Sequence, residues 1–276
     1  MNIKNMMIIA RKDLYSVIRN KAALIPMIIL PLVFSILMPA IMIVAVQSSA
    51  NASQTMTADP DIQSMLVNLP SATQTILNNM DANQSSIYLI LGLMMAPMFL
   101  IFPLMYASII ASESFAGEFE RKTLEALLYT PASDEELFFG KVLAAFVPAI
   151  IITWVSFLLY AVILNWLAYP MFQSIWFPLD SWWPLIFWVS PAISMMSVAV
   201  TVLISARIKN FMGTYQLSGS LVLIVVALFA GQMTGVIYLS VGVGLIVGLI
   251  CWIIAIVVLL IAVKSFQRQK LLLDII

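Results

Sequence analysis

The chain has 276 residues, of which 63% are hydrophobic and 9% charged, and its mean hydropathy is +1.06. This composition excludes a soluble domain with a polar surface and indicates a membrane protein with several spans. The 13 basic and 13 acidic residues give a net charge of zero, and the basic residues form no patch suited to nucleic acid. The absence of histidine excludes HExxH zinc sites and Ser–His dyads. We therefore expect no catalytic residue and no metal site in this chain.

The first 21 residues have the pattern of an amphipathic helix. Most basic side chains lie off an apolar stripe that recurs at helical spacing and is formed by Ile3, Met6, Met7, Ala10, Leu14, Val17 and Ile18. A helix of this kind lies in the plane of the membrane surface. The pattern thus predicts an interfacial helix over residues 1–21, with electrostatic anchoring as its simplest function.

Six apolar stretches are long enough to cross a bilayer core of ~30 Å, which takes ~20 helical residues. They cover residues 22–46, 87–111, 142–168, 184–204, 214–235 and 239–263. Together with the interfacial helix they predict an all-α membrane protein, with residues 22–276 forming one six-span domain. Two GxxxG pairs, which begin at Gly231 and Gly244, permit close helix approach and are weak indicators of a dimer interface.

The basic residues predict the orientation of these spans. All 13 lie within residues 4–21, 121–141, 207–209 and 264–270, and alternate connections between spans contain none. Because Lys and Arg near span ends are retained in the cytoplasm, we expect both termini to be cytoplasmic, in a multi-pass protein of the cell membrane.

The predicted external loop over residues 47–86 is the one sizeable polar segment. Asp59 followed by Pro60 is typical of a helix start, and Ser71 with Gln74 has the spacing of a capping box. The loop is therefore predicted to form a helical hairpin that caps the outer face of the protein.

The predicted cytoplasmic loop over residues 112–141 combines charges of both signs with a break in amphipathic pattern. Phe115 and Phe119 share a face that Leu124 does not, so two short elements with a bend fit better than one helix. The charges around that bend are expected to face water or a partner protein. Ser133 and Glu136 then form a capping box for the third span.

This loop resembles that of the permease subunits of type-2 ABC transporters, which reads like GExERGTLExLLxTP followed by a GK. The chain has Gly117-Glu-Phe-Glu-Arg-Lys-Thr-Leu-Glu125, then Leu127-Leu128, Thr130-Pro131 and Gly140-Lys141. Lys122 stands where the family often has glycine, so we expect a more regular turn or a different bend there.

The resemblance implies a coupling helix that docks into a separate cytoplasmic ATPase subunit. The residues that it assigns to coupling are Glu118, Glu120, Arg121, Thr123, Leu124 and Glu125. It also implies a dimer of permeases, with a second copy or a paralogue, and a central cavity between the second and fifth spans. The cavity would be lined by Met94, Met95, Phe99, Gln216 and Ser220, which suit an apolar or amphipathic substrate.

The implied activity is ATP-driven export, with ATP and Mg²⁺ bound by the partner ATPase, because the chain has no GxxxxGK[ST] phosphate loop. We therefore expect a transport subunit that is not itself an enzyme. Two alternatives stay open at this point: a non-transporting membrane scaffold or sensor, and an ion-coupled secondary carrier. The lack of charged residues within the six apolar stretches disfavours the carrier.

Overall fold

A computed structural model describes residues 2–48, 60–123 and 132–265, and throughout these ranges the regular secondary structure is helical. The helices, numbered here in chain order, are α1 (Ile3–Arg19), α2 (Lys21–Ser48), α3 (Pro60–Asn68), α4 (Ser71–Asn78), α5 (Ala82–Glu120), α6 (Asp134–Phe172), α7 (Trp182–Ser205), α8 (Phe211–Met233) and α9 (Val241–Ser265). Helices α2, α5, α6, α7, α8 and α9 are long and apolar enough to span a membrane. The prediction of an all-α protein with six spans is confirmed.

The second and third spans belong to helices longer than the apolar stretches predicted, since α5 and α6 each have 39 residues. At ~1.5 Å per residue, such a helix extends well beyond the hydrocarbon core. The extra turns at one end of the bundle carry the charged loop residues and pack against α1. At this end of the bundle, α1 meets the C-terminus of α5 and the N-terminus of α6, and we call it the α1 end. Helices α3 and α4 lie at the opposite end, which we call the hairpin end.

Helices α5 and α7 form the centre of the bundle. In their most apolar windows 78% and 72% of residues are buried, whereas in α2, α8 and α9 the share is about a fifth. Small polar residues let the two central helices approach closely: the hydroxyls of Ser108 and Ser197 lie 2.7 Å apart, and Ser197 Oγ donates to the Leu104 carbonyl at 2.9 Å. The outer helices expose apolar faces suited to lipid or to another protein.

The GxxxG glycines of α9 serve packing within the chain. A Cβ at Gly248 would clash with the indole of Trp188, and one at Gly244 would lie 3.1 Å from Pro184 Cβ. Both glycines therefore make room for α7. This contact gives them a function that needs no dimer.

The hairpin end contains the short helices α3 and α4. Helix α3 begins at Pro60, as predicted, while the proposed cap Asp59 lies outside the described residues. The predicted Ser71–Gln74 capping box is wrong, because the Gln74 amide instead donates to the carbonyls of Leu66 and Leu69 and so ties α4 to α3. The capping box forms one helix later, between Asp81 and Gln84 at the start of α5.

Candidate coupling site at the α1 end

The last turns of α5 carry two glutamates that are almost completely buried. Glu113 is 1% exposed and Glu118 is 3% exposed, because these turns lie between α1 and the first turns of α6. A buried carboxylate is stable only when a cation and further hydrogen-bond donors surround it. Both glutamates have such partners.

Glu118 belongs to a cluster that joins three helices. The Nζ of Lys141, on α6, lies 2.6 Å from Glu118 Oε2 and 3.2 Å from Oδ2 of Asp13, on α1. The same ammonium group donates to the Ser114 carbonyl at 2.5 Å, so its three protons have three acceptors. Lys12 pairs with both carboxylates from the solvent side. We call Lys12, Asp13, Glu118 and Lys141 the ionic joint.

Glu113 is held by a second set of donors one turn earlier on α5. Arg121 Nη1 lies 2.6 Å from Glu113 Oε1, the Ser16 hydroxyl donates to the same oxygen at 3.1 Å, and Asn20 Nδ2 donates to Oε2 at 2.7 Å. The Asn20 side chain also caps α2 by accepting from the Ala22 N–H. The start of the first span is therefore tied to the end of the second.

The two members of the ionic joint on α1, Lys12 and Asp13, keep their charges at neutral pH. Burial alone would raise the pKa of Asp13, but Lys141, Lys12 and the Ser114 hydroxyl outweigh it, so the pKa of this carboxyl lies below its ordinary value. Burial alone would lower the pKa of Lys12, but Asp13 and Glu118 raise it above its ordinary value. Both side chains are therefore ionised across the physiological range.

The glycine of the Gly140-Lys141 pair sets the distance between α1 and α6. A Cβ at this position would lie 3.0 Å from Ile9 Cβ and 3.1 Å from the Met6 carbonyl oxygen. Because one of these neighbours is backbone, a side chain here would push α1 away. Gly140 thus brings α1 close enough for Lys141 to reach Asp13.

Helix α5 ends in a Schellman motif. The N–H of Lys122 donates to the Phe119 carbonyl and that of Thr123 to the Glu118 carbonyl, both at 3.1 Å. Lys122 has φ 56°, the left-handed conformation that favours glycine at this position. The expectation of a more regular helical turn is therefore wrong, since Lys122 adopts the positive φ that glycine would adopt without strain. The alternative, a different bend, stays a prediction.

The exposed end of α5 also contacts the fifth span. Glu120 Oε2 accepts from the Phe211 N–H, at the start of α8, at 2.8 Å, a favourable place for a carboxylate because it lies at a helix N-terminus. Lys209 Nζ lies 5.9 Å from the centre of the Phe119 ring. Residues 120–123, which we call the elbow, are exposed and are held by α5 and α8.

The predicted coupling residues fall into three groups. Glu120, Arg121 and Thr123 are exposed in the elbow, while Leu124 and Glu125 lie outside the described residues. The expectation that Glu118 faces water is wrong, because this side chain is paired inside the bundle. Sequence reasoning missed Asp13 and the pairing of Lys141. Two features of the sequence could have indicated this pairing. Asp13 is an acidic residue on an otherwise basic helix, and Lys141 is a lysine within the family motif.

The predicted cavity residues occupy different environments. Phe99 is buried among the rings of Phe102, Tyr160 and Trp182, and Met94 is buried beside Leu93. Met95 is half-buried, whereas Gln216 and Ser220 are exposed on α8. Lining of a cavity by these residues stays a prediction.

Three spans hold α5 near the hairpin end by three consecutive backbone carbonyls. Tyr160 Oη donates to Leu91 O at 2.7 Å, Trp182 Nε1 to Gly92 O at 2.6 Å, and Gln232 Nε2 to Leu93 O at 2.7 Å. Residues Tyr88–Met94 are π-helical, and Pro97, which has no N–H, cannot supply a helical donor to one carbonyl of this stretch. Side chains of α6, α7 and α8 donate to three of its carbonyls. We call these three contacts the carbonyl joint.

The family model for the ABC-2 family transporter protein matches residues 7–243, which include most of α1, the ionic joint, the carbonyl joint and five of the six spans. The chain belongs to this family. It is thus an ABC-2 type permease, a multi-pass membrane component of a transport system. Comparison with curated proteins and with solved structures gives no match.

Proposed function

We propose that this permease is the membrane subunit of an ATP-driven exporter and that a separate ATPase subunit docks on the elbow at the α1 end. The observation that carries the proposal is the placement of the elbow. It is exposed, yet Arg121 is bound to Glu113, and Glu120 to the start of α8. A force on the elbow therefore acts on several spans at once.

The ionic joint would prevent the end of α5 from moving separately from α1 and α6 when the elbow is displaced. Separating Lys141 from Glu118 and Asp13 leaves buried charges unpaired, at a cost of about 3–5 kcal/mol. The end of α5 therefore moves together with α1 and the first turns of α6. Farther along α5, the carbonyl joint would pass the displacement to α7 and α8.

The energy for this movement would come from ATP and Mg²⁺ bound by the partner, since the 276 residues contain no phosphate loop. Two permeases and two ATPases would make the working assembly. Helix α8 exposes most of its apolar face, including Leu217 and Leu223, and would face the central cavity or the second permease. Such walls suit an apolar or amphipathic substrate.

The proposal requires the α1 end to be cytoplasmic and the hairpin end external. A cysteine at Ser64, on α3, in a Cys251→Ala background should react with an impermeant thiol reagent added from outside intact cells. A cysteine at Lys122 should react only after the membrane is opened. The reverse pattern would overturn the orientation.

Docking is tested by co-purification of the ATPase with charge-reversal variants. Reversal of Glu120 and Arg121 should abolish co-purification, but both residues also make contacts within the permease. Lys122→Glu is the cleaner change, because it alters the elbow without breaking an ion pair of the described residues. We expect at least a 10-fold loss of bound ATPase. Asp180→Lys, an exposed reversal at the hairpin end, is the matched control.

Undiminished ATPase binding by Lys122→Glu and by the Glu120 and Arg121 reversals would reject the elbow as the docking site. Reconstituted transport distinguishes the remaining classes. An exporter requires ATP, a secondary carrier works on an ion gradient alone, and a scaffold binds partners without moving substrate.

A further inference from the structure

An open pocket of about 510 Å³ lies between α1 and the end of α5. Three of its seven lining residues are basic and one is acidic, and the lining consists of Lys12, Tyr15, Ser16, Arg19, Asn20, Glu113 and Arg121. Three cationic side chains thus face one carboxylate. That carboxylate, Glu113, is already bound by Arg121, Ser16 and Asn20, and Lys12 is paired with Asp13 and Glu118. The excess positive charge of the pocket is therefore that of Arg19.

Arg19 is the basic residue of the pocket whose charge is not neutralised by an ion pair of the described residues. Its guanidinium lies 4.3 Å from the centre of the Tyr15 ring, and Nη2 donates to the Tyr15 hydroxyl at 2.6 Å. Among the described residues it pairs with no carboxylate. The tyrosine holds Arg19 at the rim with other donor hydrogens free, and an arginine so placed suits a phosphate oxygen.

A second, apolar groove of about 560 Å³ adjoins this pocket along the outer face of α1. Lys12 and Tyr15 line both cavities. The groove is completed by one further basic residue, Arg11, and by Ile8, Leu14 and Ile18, of which Ile8 is 59% and Ile18 52% exposed. A polar pocket for an anion thus continues directly into a surface for hydrocarbon.

The position of the pocket along the spans sets its depth in the membrane. Asn20 is the residue before the first span, which begins at Lys21, and Arg121 is the residue after the second, which ends at Glu120. The Asn20 side chain binds Glu113, which lies two residues beyond the predicted apolar stretch over residues 87–111. The inner part of the pocket, at Asn20 and Glu113, therefore lies at the level of the lipid headgroups. A phosphodiester at this depth would meet Arg19 while its acyl chains stay in the bilayer, and Lys12 and Arg121 would stay paired with the carboxylates of the protein.

We propose that the pocket and the groove together bind one anionic phospholipid, with the phosphate at Arg19 and an acyl chain along Ile8 and Ile18. The adjoining apolar groove favours a lipid over an acidic protein segment, which would need no hydrocarbon surface. The lipid would bridge α1 and the end of α5 beside the ionic joint. The inference needs only a membrane-embedded chain and is independent of ATPase docking.

The test measures lipid retention by the full-length protein purified in detergent. Native mass spectrometry compares bound dioleoyl phosphatidylglycerol with bound dioleoyl phosphatidylcholine at equal concentrations. Loss of one arginine near the surface should weaken anionic lipid binding ~5-fold. We expect that weakening for phosphatidylglycerol in Arg19→Gln and no change for phosphatidylcholine. Arg19→Lys should retain most of the binding.

Lys4→Gln is the matched control, because it removes one exposed positive charge from the same helix away from the pocket. If Lys4→Gln and Arg19→Gln lose equal amounts of bound phosphatidylglycerol, the lipid responds to general surface charge and the proposed site is wrong. Unchanged retention in a folded Arg19→Gln protein would also overturn it. Folding is verified by thermal unfolding, which this exposed substitution should not alter.

Two further probes separate the lipid from other anions. If inorganic phosphate displaces phosphatidylglycerol at millimolar concentration, and Arg19→Gln abolishes its binding, the pocket is a phosphate site and the proposal is wrong. If hexaglutamate binds through Arg19 and phosphatidylglycerol does not, the pocket is a protein interface and the proposal is equally wrong. Retention of dioleoyl but not of water-soluble short-chain phosphatidylglycerol supports the groove.

Discussion

At its C-terminal end α5 is held by charged side chains, whereas near its N-terminal end it is held by neutral donors to its backbone. The ionic joint brings two carboxylates and two ammonium groups together from α1, α5 and α6. The carbonyl joint uses one hydroxyl, one indole and one amide from α6, α7 and α8. Both join α5 to its neighbours, but by interactions of very different strength.

The difference follows the depth of each joint in the membrane. Charged side chains are costly in hydrocarbon, so ion pairs lie at span ends, where a half-exposed residue such as Lys12 still reaches water. Within an apolar span, an unsatisfied carbonyl must be paired by a neutral donor. The ionic joint is therefore suited to respond to a charged surface outside the membrane. The carbonyl joint is suited to keep the spans packed within it.

The largest effect is expected for Lys141→Met. This change leaves Asp13 and Glu118 buried near each other with only Lys12 to pair them, which should cost about 3–5 kcal/mol of unfolding free energy. The loss is measured by thermal or chemical unfolding in detergent. Lys122→Met, at an exposed position, is the control. A loss below about 1 kcal/mol would mean that the ionic joint adds little to stability.

A smaller effect is expected for Gly140→Ala, which tests how closely α1 must approach α6. The added Cβ meets Ile9 and the Met6 backbone, so α1 must shift, and we expect a net loss of about 1–2 kcal/mol after the gain in helix propensity. Gly219→Ala is the matched control, since nothing lies within 4 Å of its Cβ. Equal stabilities of the two variants would contradict the close packing of α1.

Tyr160→Phe tests the carbonyl joint by removing one hydroxyl from a side chain that keeps its ring. We expect a loss of about 1 kcal/mol, because hydrogen bonds between membrane helices contribute ~0.6 kcal/mol on average and up to ~1.7. Tyr169→Phe, whose side chain is exposed, is the control. If Tyr160→Phe lowers the free energy of unfolding as much as Lys141→Met does, the carbonyl joint is not weaker than the ionic joint.

A gain in stability is expected only for Lys122→Gly. The left-handed conformation at this position is strained for lysine and free for glycine, so the variant should be more stable by about 1 kcal/mol. Lys122→Ala removes the same charge and keeps a Cβ, and it should gain nothing. If alanine stabilises as much as glycine, charge and not backbone strain explains the effect.

Much of the architecture could be predicted because it depends on local patterns. Six apolar stretches predicted six spans, and the Ser133–Glu136 spacing predicted the capping box that begins α6. Helices α5 and α6 continue past the C-terminal ends of the predicted apolar stretches, at residues 111 and 168, because hydropathy reports where the hydrocarbon ends and not where the helix ends. The amphipathic stripe predicted α1 and two of its buried residues, Met6 and Val17, but not Ile9 and Asp13, which are buried as well.

By itself the sequence determined the membrane class, the number of spans and the motif that indicates the family, since these depend on apolar length and residue order. Only the tertiary structure decided what the motif residues touch. Glu118 and Lys141 are 23 positions apart and Asp13 and Lys141 128 positions apart, so no periodicity connects them. Their burial is stable only because all the partners arrive together when α1 packs against α5 and α6.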